Sequence, residues 1–188
     1  PTLYRRNENR SGPAQMPVQV LVTMGASDPR DFTRLALKAA MRMTMPARLR
    51  FIIGPNFVNP RGLADEIETA GFEAIGNVAD LAAEFARADL ALISFGVTAY
   101  EMAALGVPSL YLALSEDHER SASAFCQAGM GDIVAPDVDG IASALGRLIE
   151  DRDRRRAMSE AGRTMIDGQG AARIAAELAA DCSEAKPR

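Results

Sequence analysis

Short apolar runs alternate with longer amphipathic stretches along most of the chain. The apolar runs predict buried strands at 18–24, 48–54, 72–78, 89–94, 107–114 and 132–135. Helical periodicity predicts helices at 31–43, 61–71, 80–88, 97–105 and 120–129, and only helices after residue 135. Strands that alternate with helices favour a parallel sheet covered on both faces. We therefore predict an α/β, Rossmann-like doubly wound domain of about six strands with C-terminal helices.

Two stretches near the C-terminus have apolar residues on one helical face. The first comprises Ile141, Leu145, Leu148 and Ile149, and the second comprises Ala171, Ala175, Leu178 and Cys182. Each stretch therefore predicts a helix with one apolar face.

The two ends of the chain differ from its middle in composition. Residues 1–16, which begin with Pro rather than Met, are polar, basic and rich in turn formers, as in a linker or a frayed terminus. The polar end predicts a loose tail at 183–188. We therefore expect one domain over 17–182, joined through the linker to something upstream.

Bulk composition excludes several classes of protein. The net charge of −4 gives no case for binding nucleic acid or an anionic membrane, and the chain has no apolar run near 18 residues, so no transmembrane segment is expected. The absence of a signal-peptide pattern and the widely separated Cys126 and Cys182 predict free thiols in a reducing cytoplasm. His118 is the only histidine, which argues against a histidine-rich metal site, and no metal or cofactor is expected.

In a doubly wound sheet, ligands bind beyond the carboxyl ends of the strands, so the loops 25–30, 76–79, 94–98 and 113–119 are the candidates. In "MGASDPRD", Gly25 leads from a strand into a helix whose N–H groups could meet an anion. The alternative is that Ser27 or Asp28 only caps that helix. The loop lacks the glycines of a dinucleotide fingerprint, and the chain lacks an ATPase phosphate loop.

The loop after the fourth predicted strand, "SFGVTAYE", combines several polar groups. Gly96 permits a tight turn or a close ligand, and Ser94 and Thr98 offer hydroxyls. Glu101 follows about one turn into the helix, where a carboxylate can accept hydrogen bonds from a vicinal diol such as that of ribose. The alternative is that Glu101 only complements the helix dipole.

The loop after the fifth predicted strand, "LSEDHERSA", places Glu116, Asp117, His118 and Glu119 beside the same crevice. A solvated charged loop is the default interpretation. The spacing of these residues defines no catalytic triad.

The segment "ISFGVTAYEMAALGVP" at 93–108, with "MGASDP" before it and "SEDHERSA" after it, resembles the C-terminal nucleotide-binding half of GT-B fold enzymes. Within that MurG-related group it is most similar to the SpsG-like predicted glycosyltransferases of spore-coat polysaccharide biosynthesis and to PseG-like UDP-sugar hydrolases. The resemblance covers about residues 18–181. It implies a UDP-sugar-binding half of a glycosyltransferase for surface or coat polysaccharide. The alternatives are the corresponding half of a UDP-sugar hydrolase, an epimerase of the same fold, or a non-catalytic nucleotide-binding module.

The resemblance also implies roles for the loop after the fourth strand. Glu101 would bind the ribose hydroxyls. Gly96, Val97 and Thr98 would border the diphosphate, and Ser94 would line the nucleotide site beside them.

Further positions follow from the same resemblance. The main chain around Asn77 and Val78 would face the uracil. Gly25 and Ser27 would approach the diphosphate or the sugar, and His118 would lie near the sugar.

The sequence departs from the family in three ways. Gly25-Ala26-Ser27 stands where the family often has Gly-Gly-Ser, and Phe95 adds bulk to the second loop. The N-terminal GT-B domain, which would supply the acceptor site and the catalytic base of the hydrolases, is missing. No catalytic residue is therefore assigned, and we expect the chain alone to bind without turnover. The sugar, the acceptor and the oligomeric state do not follow from the sequence.

Overall fold

The computed structural model describes residues 17–184, with the side chains of 181–184 excepted. The predicted linker at 1–16 lies outside the described residues. The last helix runs to Glu184, two residues into the predicted tail, and the remainder of the tail lies outside the description.

Six parallel strands form one sheet in the order β3-β2-β1-β4-β5-β6. They are β1 (Val18–Thr23), β2 (Ala47–Ile52), β3 (Glu73–Ile75), β4 (Leu90–Ser94), β5 (Ser109–Leu112) and β6 (Gly131–Ile133). The described helices are α1 (Phe32–Ala40), α2 (Pro60–Thr69), α3 (Leu81–Ala86), α4 (Val97–Leu105), α5 (Glu116–Gln127), α6 (Val138–Glu150), α7 (Arg152–Met165) and α8 (Gly170–Glu184). The predicted doubly wound α/β fold is confirmed.

Apolar side chains leave the strands toward both faces of the sheet, which is why the strands are nearly continuous apolar runs. Val22, Phe51 and Leu92 point to the face covered by α1, α2 and α6. Leu21 and Ile93 point to the face covered by α3, α4 and α5. The sheet is therefore buried on both sides, and its carboxyl edge is left for a ligand.

Most element boundaries differ from the prediction by one to three residues, and two of the differences lie at the carboxyl edge of the sheet. β3 ends at Ile75 rather than at residue 78, because Asn77 has a left-handed backbone (φ 50°) that ends the extended segment. α5 begins at Glu116 rather than at residue 120, because the Ser115 hydroxyl accepts a hydrogen bond from the His118 N–H at 3.3 Å and caps the helix. The charged stretch 116–119 is thus the first turn of a helix and not a loop.

The C-terminal helices differ in how they pack. The predicted apolar face of α6, with Ile141 and Leu145, is buried as expected. The predicted face of α8 is instead exposed: Leu178 is 60% exposed, and Ala171 and Ala175 are also open to solvent. The side chain of Cys182 lies outside the described residues.

α7 packs against the C-terminal end of α4. The Ser159 hydroxyl donates to the carbonyl of Gly106, at the end of α4, over 2.6 Å. A Cβ atom on Gly162 would lie 2.8 Å from the carbonyl oxygen of Ala103. Only glycine therefore permits this approach of the two helices. No described helix is both long and apolar enough to cross a membrane.

Candidate functional site

The centre of the candidate site is the point where the strand order reverses, between β1 and β4. The Ser94 hydroxyl, at the end of β4, donates a hydrogen bond of 3.0 Å to the carbonyl of Met24, just past the end of β1. This bond holds the loops that follow the two strands side by side. A crevice at such a switch point is where ligands of doubly wound sheets bind.

The loop after β1 is held against the end of β2. Gly25 has a left-handed backbone with φ 81°. The Asn56 N–H donates to the carbonyl of Ala26 at 2.9 Å, and a Cβ atom on Gly54 would lie 2.6 Å from that same oxygen. The sequence prediction missed Gly54, although a glycine directly after a strand is a signal of close backbone approach.

The start of α1 is occupied by a carboxylate of the chain itself. Asp28 accepts hydrogen bonds from the N–H groups of Phe32 at 2.9 Å and Thr33 at 2.7 Å. The alternative interpretation of this loop, helix capping, therefore holds for Asp28, whose carboxylate occupies the first two N–H groups of α1. Ser27 is exposed beside the crevice.

The start of α4, in contrast, is open. Gly96 is its N-cap, has extended backbone and supplies no side-chain cap. Within residues 17–184, no hydrogen-bond partner is found for the N–H groups of Val97 and Thr98, and Val97 is 77% exposed. The nine-residue helix adds partial positive charge at this end. Two donors and a helix dipole therefore point at the crevice, and this arrangement suits an anion.

Glu101 is half-buried one turn further along α4. It is the fifth residue of the helix, and the first turn contains no acidic residue. Because the helix dipole acts mainly within the first turn, it gives little reason for an acid at this position.

Phe95 does not enter the crevice, which removes the concern raised by its bulk. Its ring is 4% exposed and packs edge-on against Tyr111 and Phe125, each with a centroid distance of 5.2 Å. The bulky departure from the family pattern thus lies in the core, where aromatic edges stabilise the packing below α4 and α5.

Asn77 and Val78 occupy the turn after β3, on the same carboxyl edge. Val78 is half-buried and packs with the core that α3 and α4 cover, whereas Asn77 is exposed. Strands β2 and β1 separate this turn from Gly96. The two residues therefore lie to one side of the switch point.

His118 lies on the other side, in the first turn of α5. Its Nδ1 atom is buried and has no hydrogen-bond partner among the described residues. Of its acidic neighbours, Asp117 is paired with Arg120 at 2.6 Å, and Glu116 and Glu119 are exposed. Acidic side chains in the first turn interact favourably with the helix dipole, so these residues stabilise the start of α5.

Two concavities lie elsewhere on the described surface. One, of about 500 Å³, lies between α1 and α2, and another, of about 270 Å³, lies beside β6 and α6. Both are away from the switch point. The described residues contain no cluster of three or more His, Cys, Asp or Glu side chains suited to a metal ion.

Comparison with known proteins supports the fold and its family. No protein-family model matches the chain. It is 27% identical over 168 residues to the spore coat polysaccharide biosynthesis protein SpsG of Bacillus subtilis, covering 85% of this chain and 49% of SpsG. It is 31% identical over 146 residues to the UDP-N-acetylglucosamine--N-acetylmuramyl-(pentapeptide) pyrophosphoryl-undecaprenol N-acetylglucosamine transferase of Cutibacterium acnes, covering 72% of this chain and 38% of the transferase.

Among solved structures, Anabaena HepE in complex with UDP-glucose is similar with a TM-score of 0.73 and 16% identity. The match covers 97% of this chain and 55% of HepE. The chain spans about half or less of the length of the two curated relatives. Fold and relatives agree with the resemblance found in the sequence: the chain is a C-terminal-type domain of the GT-B fold, related to SpsG and to the N-acetylglucosamine transferase of Cutibacterium acnes.

Proposed function

We propose that this domain binds the nucleotide of a UDP-sugar in the crevice between β1 and β4. We further propose that it forms the nucleotide-sugar-binding half of a glycosyltransferase for surface or coat polysaccharide. The observation that carries the proposal is the open start of α4, with Glu101 one turn beyond it. In a nucleoside diphosphate, the anionic diphosphate is followed by the ribose diol. Along α4, the N–H groups that can bind an anion are followed by Glu101, whose carboxylate can bind a diol.

Each part of the ligand has a proposed place along the carboxyl edge. The diphosphate accepts hydrogen bonds from the N–H groups of Val97 and Thr98, beside Gly96 and Ser94. The ribose diol donates to Glu101. The nucleotide thus follows α4 from its first turn inward.

The two ends of the ligand extend to either side of α4. The uracil lies toward the main chain of Asn77 and Val78, and the sugar lies toward His118. Gly25 and Ser27 border the diphosphate or the sugar from the loop after β1. His118 is half-buried in the first turn of α5, so part of its side chain is accessible from the sugar end.

The proposed reaction is displacement at the anomeric carbon of the sugar. The oxygen of an acceptor hydroxyl forms the new bond and loses its proton to a base or to solvent, while the bond from the anomeric carbon to the distal phosphate oxygen breaks and UDP leaves with the electron pair. In this domain, the N–H groups at the start of α4 would stabilise the negative charge that develops on the departing diphosphate.

The functions for which the relatives are named favour this class of function. SpsG is named for spore coat polysaccharide biosynthesis, the Cutibacterium acnes relative is an N-acetylglucosamine transferase, and HepE is described with UDP-glucose bound. A second candidate is the corresponding half of an epimerase, because a putative UDP-N-acetylglucosamine 2-epimerase of Listeria monocytogenes shares the fold with a TM-score of 0.70. A UDP-sugar hydrolase and a non-catalytic nucleotide-binding module would use the same crevice. Product analysis with the full-length enzyme distinguishes transfer, epimerisation and hydrolysis.

Calorimetric titration of the chain with nucleotides tests the proposal. UDP and UDP-glucose should bind more tightly than ADP or NAD, and EDTA should leave the affinities unchanged. Equal affinity for all nucleotides, or a strict requirement for a metal, would contradict the proposal.

Replacing Val97 by proline tests the role of the backbone donor. Proline is favoured at the first position of a helix, and the extended backbone of Gly96 is compatible with a following proline, so α4 should still form. The substitution removes one N–H group, and loss of one hydrogen bond to a charged group should weaken UDP binding about ten-fold. Val97→Ala keeps the N–H group and is the matched control. Equal UDP affinity of the two variants would show that this donor does not bind the diphosphate.

A further inference from the structure

Arg30 reaches across the candidate crevice and has no role in the proposal above. It stands in the loop between β1 and α1, and its Nη1 atom lies 3.5 Å from the carbonyl oxygens of both Ala113 and Leu114, just after β5. Strand β4 lies between β1 and β5, so the side chain passes over the carboxyl end of β4. The guanidinium carbon is 5.1 Å from the ring centroid of Phe32, which supports this orientation.

These contacts use little of the binding capacity of Arg30. A guanidinium has five N–H donors, and the two carbonyl contacts are at the long limit of a hydrogen bond. The side chain is exposed, so its remaining donors are accessible to a ligand.

Five carboxylates lie in the loop of Arg30 or in the first turn of α5: one caps α1, Glu116 and Glu119 are exposed, and the other two are paired with other arginines. Asp31 is bonded to Arg34 at 3.1 Å, and Asp117 is bonded to Arg120 at 2.6 Å. No salt bridge joins Arg30 to a carboxylate within residues 17–184. It is therefore a cation on an acidic edge of the sheet whose charge these neighbours do not neutralise.

The position of Arg30 selects one end of the ligand. Arg61, another arginine near this edge, lies at the start of α2, which follows β2 on the side of the switch point toward β3. Arg30 instead contacts the segment directly before Ser115, the cap of α5, and His118 lies in the first turn of that helix. Arg30 and Asn77 thus lie on opposite sides of the crevice. The sugar is expected on the side of Arg30.

We infer that Arg30 binds an anionic group at the sugar end of the bound UDP-sugar. It thereby determines how tightly ligands that carry this group bind. The anionic oxygens belong either to the distal phosphate or to a carboxylate on the sugar, as in a uronic acid. Both would accept two parallel hydrogen bonds from the guanidinium, an arrangement that lysine cannot reproduce. This inference rests on the proposed binding of a UDP-sugar.

Calorimetric titration of the wild-type chain, Arg30→Gln and the control Arg61→Gln distinguishes the two sources. The ligands are UMP, UDP, UDP-glucose and UDP-glucuronic acid. If Arg30 binds the distal phosphate, Arg30→Gln should weaken UDP and both UDP-sugars about ten-fold and leave UMP unchanged. If it binds a sugar carboxylate, only UDP-glucuronic acid should weaken. Arg61→Gln should match the wild type throughout.

Further variants and outcomes complete the test. Arg30→Lys keeps the charge without the planar fork and should lose less affinity than Arg30→Gln, and circular dichroism melts should show that both variants fold. Unchanged affinity of Arg30→Gln for every ligand that the wild type binds would overturn the inference and leave UDP binding intact. The same loss in Arg61→Gln would also overturn it, since the effect would then be one of overall charge. Failure of the wild type to bind any of the four ligands would refute the proposed function, and the role of Arg30 with it.

Discussion

Replacing Gly54 by alanine tests how closely the end of β2 packs against the loop after β1. The new Cβ atom would lie 2.6 Å from the carbonyl oxygen of Ala26 and 2.7 Å from its carbonyl carbon, and closer still to the carbonyl oxygen of Gly25. These are backbone atoms, which cannot rotate away as a side chain can. The φ angle of Gly54 is not in the left-handed region, so the cost arises from the contact and not from backbone strain.

The expected loss of stability can be estimated from this geometry. Overpacking a rigid site costs about 1–3 kcal/mol, and contact with several backbone atoms puts Gly54→Ala at about 2–3 kcal/mol. For a domain of this size, the melting temperature should fall by roughly 4–12 °C. The loop of Gly25 and Ser27 must also move, so we expect weaker binding of UDP.

Thermal and urea unfolding of the purified chain measure the effect. Gly146→Ala is the matched control: Gly146 lies inside α6, and its added Cβ atom would meet no atom within 4 Å. Alanine there should stabilise the helix by about 0.5–1 kcal/mol. A Gly54→Ala variant with wild-type melting temperature would refute the described packing of the two loops.

Three further predictions concern the site and the core. Glu101→Gln should weaken UDP binding about ten-fold in calorimetry, with little change in melting temperature. The control Glu68→Gln, on α2, should have no effect on either quantity. If Glu101→Gln bound UDP with wild-type affinity, Glu101 would have no role in binding the ligand. The chain alone should release no UDP from UDP-sugars above the no-protein control, and steady turnover that His118→Ala abolishes would contradict the half-enzyme proposal. Burial raises the pKa of Tyr111 well above its usual value near 10, so the neutral phenol stabilises the fold fully below about pH 10 and less as the pH rises above it. Tyr111→Phe loses only a 3.4 Å hydrogen bond to the carbonyl of Met130 and should flatten this alkaline loss of stability in urea titrations; an unchanged pH dependence would assign the loss to other groups.

The sequence predicted the order of strands and helices because each strand is a nearly continuous apolar run between amphipathic helices. It failed at α5, whose acidic first turn gives a loop-like composition. The Ser115 cap followed by Glu116 and Asp117 is nevertheless typical of a helix start, so this boundary could have been found. The prediction gave the charged composition of residues 116–119 more weight than the helix-capping signal of Ser115.

α7 was not predicted as a separate element for a different reason. Its buried residues include Arg155, Ser159 and Gly162, which give no apolar period. Arg155 is buried because its guanidinium donates to the carbonyl oxygens of Leu148 and Ile149 at the end of α6, the latter at 2.7 Å. Such a cap depends on the tertiary arrangement of two helices, and a local pattern does not reveal it.

Some features of the candidate site could also be predicted from the sequence, and others could not. The sequence predicted a tight turn or a close ligand approach at Gly96, because glycine after an apolar strand marks a turn. It left open whether the loop after β1 also offers a helix start, and the structure shows Asp28 occupying that position. The contact between Gly54 and Ala26 joins loops far apart in the sequence, so it could be located only in three dimensions. The ligand roles of the ten candidate residues remain predictions.

The hydrogen bond from Ser94 to the carbonyl of Met24 joins positions that are 70 residues apart. Closing so long a loop has a large entropic cost, and parallel strands of this separation pair slowly during folding. The crevice therefore cannot exist in a folding intermediate that has paired only β1, β2 and β3. In refolding experiments, recovery of nucleotide binding should lag behind recovery of helical circular dichroism, so ligand binding reports completion of the central β1–β4 pairing.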